Sequence, residues 1–142
     1  MSTLTGLLLL AVVLVVTTAF GLFRAARDGR MKRGRAGGAL RLTGPDLGEP
    51  LGEQATLVQF STSFCAACPG TRRLLGKVAG DRPGVRLVEI DAESRLDLVR
   101  RVDVLRTPTV LVLDGYGHVT HRSVGAPSRA EVLAALELAT AS

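Results

Sequence analysis

Aromatic residues are scarce in this chain of 142 residues: they make up 4% of the sequence, and tryptophan is absent. The apolar residues, 46% of the chain, are therefore mainly leucine, valine and alanine. Two cysteines are too few for a scaffold held together by disulfides. No segment repeats and the apolar content is ample, so collagen-like, coiled-coil and disordered chains are excluded. The length allows one domain and leaves little for a second hydrophobic core.

The net charge of +5 comes from one segment of the chain. Seven of the 18 Lys and Arg residues fall within residues 24–41, opposed only by Asp28. Beyond residue 41 there are 11 basic and 12 acidic residues, so the rest of the chain is close to neutral. A face that binds nucleic acid is therefore not expected.

Charged residues are absent from residues 4–23, LTGLLLLAVVLVVTTAFGLF. A helix of that length spans about 30 Å, the hydrocarbon thickness of a bilayer. A cleaved signal peptide is the alternative, but no basic residue precedes the run and residues 18–21, TAFG, form a poor cleavage site. We therefore predict an uncleaved transmembrane helix over residues 4–23, with the lipid bilayer as its partner.

Basic residues follow this segment and none precedes it. Because basic flanks stay on the cytoplasmic side of a membrane, we expect the C-terminal part of the chain in the cytoplasm and a very short N-terminus outside. Residues 24–39 are interpreted as a basic juxtamembrane linker. Within it, residues 30–38 show no periodicity and contain three glycines, which is typical of a flexible tether lying against anionic lipid.

Residues 40–142 show the alternation of a mixed α/β domain. Apolar runs predict strands at 55–62, 85–90, 109–113 and 118–124, and helical spacing predicts helices from the second cysteine to about 79, at 94–103 and at 128–139. Capping boxes are predicted at Ser94 with Asp97 and at Ser128 with Glu131, and Gly80 is expected to cap a helix end. The order β-α-β-α-β-β-α predicts a mixed sheet with helices on both faces. A weaker extended segment at 39–42 suggests an additional edge strand.

Cys65-Ala66-Ala67-Cys68 stands between a predicted buried strand and the helix that follows it. There, unpaired backbone N–H groups and the positive end of the helix dipole favour a thiolate on the first cysteine. The second cysteine lies one turn on, where its sulfur can close a disulfide. These are the two requirements of thiol–disulfide exchange.

Two other interpretations of the cysteines compete with this one. A zinc site would recruit His118 and His121, but their odd spacing on a predicted strand points them to opposite faces, so we expect no metal and interpret them as surface residues of an edge strand. Two inert buried cysteines are the other alternative.

The motifs SFCAACPGTRRLL, VEID and RTPTVLVLDGYGHVTHRSVGAPSRAEVLAAL, taken together, resemble thioredoxin over residues 40–142. The resemblance implies a thioredoxin-like α/β fold, here preceded by one transmembrane helix. It also implies that Cys65 and Cys68 are catalytic and that Pro108 is a cis-proline beside them. The implied substrate groove is bounded by Phe64, Thr107, Pro108 and Gly125, with the backbone of Thr107 pairing with an extended substrate.

Departures from the thioredoxin pattern accompany the match. Phe64 replaces the usual tryptophan, and Ala66-Ala67 replaces Gly-Pro between the cysteines. In thioredoxins a buried acidic residue at this position relays a proton to the second cysteine. Here the residue is Gln59, whose side chain cannot titrate. A water or Glu89 would then carry the proton.

The resulting prediction is a membrane-tethered thiol–disulfide oxidoreductase. Its expected partners are protein substrates carrying disulfides or dithiols and a reductase that recycles the pair; no cofactor is expected. One alternative is an extracytoplasmic factor for cytochrome or secreted-protein thiol maturation, since many anchored relatives of thioredoxin work there. The other is a non-enzymatic adaptor or redox sensor that uses the same groove.

Overall fold

The structure, a computed structural model, describes residues 3–33 and 40–141. Its helices are α1 (Thr3–Arg27), α2 (Gly44–Leu47), α3 (Cys68–Gly80), α4 (Leu96–Arg101) and α5 (Arg129–Thr140). Its strands are β1 (Lys32–Arg33), β2 (Ala55–Ser61), β3 (Val85–Asp91), β4 (Thr109–Asp114) and β5 (Val119–Val124).

The five strands form one mixed sheet in the order β1-β5-β4-β2-β3. β2 pairs with β3 in parallel across the α3 crossover, and the β2–β4, β4–β5 and β5–β1 pairs are antiparallel. Every residue of β2 and β4 is buried, as their near-continuous apolar sequences predict for central strands. The predicted mixed sheet is therefore confirmed.

Two apolar cores lie on opposite faces of the sheet. One face packs against α3 and α5 through Leu75, Val78 and Leu136. The other is covered by α4 and by the segment around α2, with Leu42, Leu47 and Leu98 buried. The prediction of helices on both faces is confirmed, and β2, which leads towards the cysteines, lies between the two layers.

Helix α1 is long and apolar enough to cross a membrane, although a signal sequence would pass the same test. None of its described residues is buried against the rest of the chain. Near its C-terminal end the guanidinium of Arg27 lies 4.1 Å from the centre of the Phe23 ring, and Arg24 lies over Phe20. The helix therefore projects free of the sheet and ends in a cluster of arginine and aromatic side chains.

The predicted flexible tether is wrong for residues 30–33. Lys32 and Arg33 form β1 and pair with Arg122 and His121 of β5. Two-residue pairing of this kind is made by backbone groups, which side-chain periodicity does not reveal. Residues 34–38 of the predicted tether lie outside the described residues.

An additional edge strand is predicted at 39–42. Its described part, from residue 40 onwards, does lie along the start of β5. The N–H of Leu42 donates to the carbonyl of Gly117, and the N–H of Val119 donates to the carbonyl of Leu40, both at 2.9 Å. Gly117, in the predicted β4–β5 turn, has φ +89°, and a Cβ there would overlap the Leu42 carbonyl oxygen.

Two predicted helix signals are wrong. The N-cap of α4 is Arg95, and the Ser94 hydroxyl donates to the carbonyl of Asp91. That bond to the preceding strand competes with the cap expected from Ser94 and Asp97. Gly80 is the last residue of α3, whose C-cap is Asp81 in right-handed geometry.

The capping box of Ser128 and Glu131 is confirmed. The Ser128 hydroxyl accepts from the Glu131 N–H at 3.3 Å, and the Glu131 carboxylate accepts from the Ser128 N–H at 2.9 Å. The second bond is the main reason why the pKa of Glu131 lies below its ordinary value.

We expect Ser128→Ala to lower the free energy of unfolding by about 1 kcal/mol in urea titrations, because a helix N-cap is lost. Ser94→Ala is the matched control, with no cap to lose. Equal losses in the two variants would contradict the assignment.

The ion pair between Asp46 and Arg101 predicts that part of the stability of the domain is lost in acid. Asp46 accepts hydrogen bonds from Arg101 at 2.6 Å and from the Thr43 N–H at 2.7 Å. Arg101 first, and then Thr43, hold the pKa of Asp46 well below its ordinary value. This stability is present above the unfolded-state pKa, about 3.9, and is lost as the pH falls below it.

Asp46→Asn should therefore cost about 1 kcal/mol at pH 7, a figure kept small because Arg101 is half exposed. Its unfolding free energy should also fall less steeply than that of the parent below pH 4, as measured by urea titration across pH. The control is Asp81→Asn, whose Arg129 partner lies 3.4 Å away on an exposed surface. An unchanged acid limb in Asp46→Asn would refute the assignment.

Candidate functional site

Cys65 and Cys68 form a disulfide at the end of β2 that leads into α3. Cys65 is partly exposed, whereas Cys68 retains 4% of its accessible surface. The first cysteine is thus partly accessible to an incoming protein, and the second is shielded.

Helix α3 begins at Cys68, the second cysteine, as the sequence predicts. Its N-cap is Ala67, two residues after Cys65, and Pro69 lies in the first turn, where a missing N–H costs little. The Cys65 N–H donates to Thr62 and the Cys68 N–H to Cys65, both at 3.3 Å. Cys65 is therefore held in a turn just ahead of the helix N-terminus.

Thr107, Pro108 and Gly125, which the resemblance implies as groove residues, are joined to one another and to the turn that carries Cys65. The Thr107–Pro108 peptide bond is cis, as the resemblance implies, and Pro108 is buried. The Gly125 N–H donates to the Pro108 carbonyl at 2.8 Å. The Thr107 and Thr62 hydroxyls are 3.1 Å apart, which joins the proline loop to the turn that carries Cys65.

Exposed apolar side chains flank the groove. Phe64 is 92% exposed and Leu105, two residues before Thr107, is 85% exposed. Leu105 is absent from the sequence prediction, because a lone leucine between polar residues has no pattern to single it out. Phe64 directly precedes Cys65 in the chain, and an exposed apolar side chain there suits contact with another protein chain.

Gln59 lies beneath the cysteines and is fully buried. Its side-chain Nε2 donates to the backbone carbonyl of Cys68 at 3.0 Å. Its Oε1 has no hydrogen-bond partner among the described residues. The residue in the position of the family's buried acid thus contacts the second cysteine directly, as an uncharged group.

Glu89 lies beside Gln59 on the neighbouring strand but faces a different set of partners. It accepts from the Ser61 hydroxyl at 2.8 Å and pairs with Arg72 at 3.1 Å. Arg72 is accordingly ion-paired.

The two histidines occupy different environments. His118 contacts Asp114 at 3.2 Å, while His121 contacts Thr120. His121 is buried and pairs in register with Arg33 of β1, so the prediction that both are surface residues of an edge strand is wrong for it. Burial, and then the charge of Arg33, lower its pKa.

A residue that precedes the predicted domain at 40–142 also contacts the site. Asp28, directly after α1, pairs at 2.6 Å with Arg106, which precedes Thr107. The sequence analysis missed this contact because it joins residues 78 positions apart. Only the opposite charges of Arg106 and of Asp28, the lone acid in a basic segment, could have suggested it.

Comparison with protein-family models and with curated proteins gives no match. Solved structures do match. Thioredoxin-2 of a malaria parasite is 19% identical, covering 60% of this chain and 82% of its own, with a TM-score of 0.54. A point mutant of Halobacterium salinarum thioredoxin is 17% identical over 62% of this chain and 76% of its own, at 0.56. Thioredoxin NaTrxh of Nicotiana alata is 23% identical over 62% and 75%, at 0.55. The chain therefore has the thioredoxin fold, and Cys65 and Cys68 equip that fold for thiol–disulfide exchange in general.

Proposed function

We propose that this chain is a membrane-anchored thiol–disulfide oxidoreductase that acts on protein disulfides. The observation that carries the proposal is the asymmetry of its cysteine pair. An open Cys65 can meet a substrate, and a shielded Cys68 meets only its neighbour. The exposed Phe64 and the Thr107–Pro108 loop supply a contact surface around the open sulfur.

The reaction begins from the dithiol form. The Cys65 thiolate attacks one sulfur of a substrate disulfide, and the substrate's other sulfur leaves as a thiolate. The Cys68 thiolate then attacks the Cys65 sulfur, so the substrate's second thiol leaves and the Cys65–Cys68 disulfide forms. Two electrons and two protons pass from the pair to the substrate. A reductase partner must supply the same number to restore the dithiol.

The N-terminus of α3 supports the first step, because its unpaired N–H groups stabilise negative charge near Cys65. Gln59 contributes a neutral hydrogen bond to Cys68. It cannot take up the proton that leaves the Cys68 thiol. A water, or Glu89 after release from Arg72, would accept that proton.

Support for anchoring comes from α1, which is long enough to span a bilayer and buries none of its residues against the domain. We assign residues 4–23 to the membrane, 24–39 to the basic linker and 40–142 to the redox domain. The basic flank supports a cytoplasmic domain. The extracytoplasmic alternative assigns the same chemistry to thiol maturation of cytochromes or secreted proteins.

Activity is tested by disulfide reduction on the full chain in nanodiscs, with a protein disulfide as substrate and a chemical dithiol as the recycling agent. Cys65→Ser should remove the catalysed rate. Ala66→Ser, a serine placed at the adjacent exposed position, should retain most of it. Equal rates for the parent and Cys65→Ser would refute the enzyme and leave a binding module.

Sidedness is tested separately, because Cys65 and Cys68 are the only thiols in the chain. Cells are treated with an impermeant phosphine and an impermeant maleimide, before or after permeabilisation. Labelling that requires permeabilisation would support the cytoplasmic side. Labelling of intact cells would place the domain outside and favour the maturation role.

A further inference from the structure

The residues that follow α1 are attached to the domain by backbone hydrogen bonds. We call Asp28–Arg33 the juxtamembrane strap. The Gly29 N–H donates to the Val124 carbonyl at 2.7 Å, and the Ser123 hydroxyl donates to the Gly29 carbonyl at 2.6 Å. Both bonds hold the strap to the end of β5 that adjoins the groove.

Two glycines allow this close approach. Gly29 has φ +84°, and a Cβ there would overlap the Ala126 carbonyl oxygen. Gly125 has φ +98°, and a Cβ there would come within 2.9 Å of the Gly29 nitrogen. Both positions therefore exclude larger residues, so the contact is built for glycine on each side.

Side chains extend the attachment along the strap. Asp28 pairs with Arg106 at one end, and Met31 packs against the apolar core under α3 and α5. The backbone N–H of Met31 helps to lower the pKa of Glu131 at the start of α5. The strap thus contacts the proline loop, β5 and α5 at once.

This attachment fixes the distance between groove and membrane. The Asp28 N–H still bonds to the Arg24 carbonyl in helical geometry. Asp28 therefore lies about 7.5 Å beyond Phe23, the last residue of the apolar run. A headgroup layer is about 5–8 Å deep. Gly29, and with it the Gly125 wall of the groove, comes at the outer edge of that layer.

The opposite end of the sheet is far from the groove. β4 begins at the groove with Thr109 and ends at Asp114, before the Gly115–Tyr116 turn. Its six residues span about 20 Å. The groove and the β4–β5 turn are therefore at opposite ends of the sheet.

From these contacts we infer that the strap holds the redox groove at the headgroup level, where it exchanges disulfides with membrane proteins whose cysteines lie at the bilayer surface. The inference rests on the proposed anchoring and deepens it. A freely tethered domain would sample many distances and orientations, whereas a strapped one meets partners in the same membrane at a fixed height.

The orientation is tested by NMR on the full chain in nanodiscs that contain a lipid with a paramagnetic headgroup. Amide signals of Thr107 and Gly125 should be broadened strongly, and those of Gly115 and Tyr116 least. Insertion of ten Gly/Ser residues between Arg27 and Asp28 should abolish this gradient while β5 and the strap stay paired. A parent chain in the disc without the gradient would overturn the inference and leave the anchoring intact.

Gly29→Val provides a second variant, because its side chain cannot fit against Ala126. Gly21→Val is the matched control, since a Cβ at Gly21 has no neighbour within 4 Å. Gly29→Val should lose the gradient and Gly21→Val should keep it, with slow amide exchange in β4 showing that each domain is folded. A gradient that survives Gly29→Val would refute the strap as its cause. A chain that fails to enter the disc would refute the anchoring itself.

The partner class is tested with disulfide peptides fused to a transmembrane helix in the same nanodisc. The disulfide lies either directly after the helix or behind a long soluble spacer. The parent should reduce the near disulfide on the order of tenfold faster, because its effective concentration at the groove is higher. The insertion variant should lose that preference. Equal rates on both peptides with the parent would overturn the assignment of partners at the bilayer surface.

Discussion

Replacing Cys68 with serine is expected to turn a short-lived mixed disulfide into a stable product on Cys65. In the proposed reaction, the shielded Cys68, which is within disulfide-bonding distance of Cys65, displaces the substrate from Cys65. A serine hydroxyl at that position cannot perform the exchange, so release must wait for an external thiol. The trapped adduct should accumulate to near the amount of enzyme and should disappear on reduction.

The adduct is measured by non-reducing electrophoresis and intact-mass analysis after incubation with a protein disulfide. The companion variant is Cys65→Ser, which retains only Cys68, a residue with 4% of its surface exposed. It should form little adduct. An equal or greater adduct on Cys68 in that variant would reverse the roles assigned to the two cysteines.

Replacing Gln59 with glutamate should make the stability of the whole domain depend strongly on pH. A protonated carboxyl has nearly the shape of the amide and can donate the same hydrogen bond to the Cys68 carbonyl. At pH 4 the variant should therefore be close to the parent in stability. At higher pH the introduced group must either ionise in a fully buried site or hold its proton against solvent.

The direction in which stability changes with pH follows from the number of protons bound by the folded and the unfolded chain. Burial raises the folded-state pKa of the introduced carboxyl above the unfolded value of about 4.3, so the folded chain binds more protons between those values. Stability then falls by about 1.4 kcal/mol per pH unit until the folded pKa is reached. A rise of about three units would cost about 4 kcal/mol, a large share of the 5–15 kcal/mol of an ordinary domain.

Urea titrations from pH 4 to pH 8 measure this effect. Gln54→Glu is the matched control, because Gln54 is exposed five positions earlier in the chain. Its stability should follow that of the parent at every pH. A flat profile for Gln59→Glu would mean that the site admits water, and the buried neutral environment assigned to Gln59 would be wrong.

The parts of the fold that could be predicted are those that depend on local residue patterns. The apolar runs of β2 and β4 identified central strands, and the pair of cysteines before a helix located the reactive site. Pro108 was placed by its position in a family motif. Each of these signals lies within a few residues, or in a spacing that the thioredoxin fold imposes.

The strap could not be predicted, because its contacts are made by backbone groups and by glycines. Lys32 and Arg33 look like solvated charges, and Gly29 suggests flexibility when it is considered alone. The interpretation changes only when Gly125 is known to lie opposite. Complementarity between two glycines 96 positions apart has no counterpart in periodicity or composition.

The outer side of β5 carries a consequence for anyone who shortens this chain. An uncovered strand edge is a template on which a second molecule can add its own strand. Here Leu40 and Leu42 close the start of that edge, and the strap closes the remainder up to Val124. A soluble fragment that begins after residue 33 would open half of it, and such preparations should self-associate through β5 as their concentration rises. Fragments intended to stay monomeric should begin at or before Asp28.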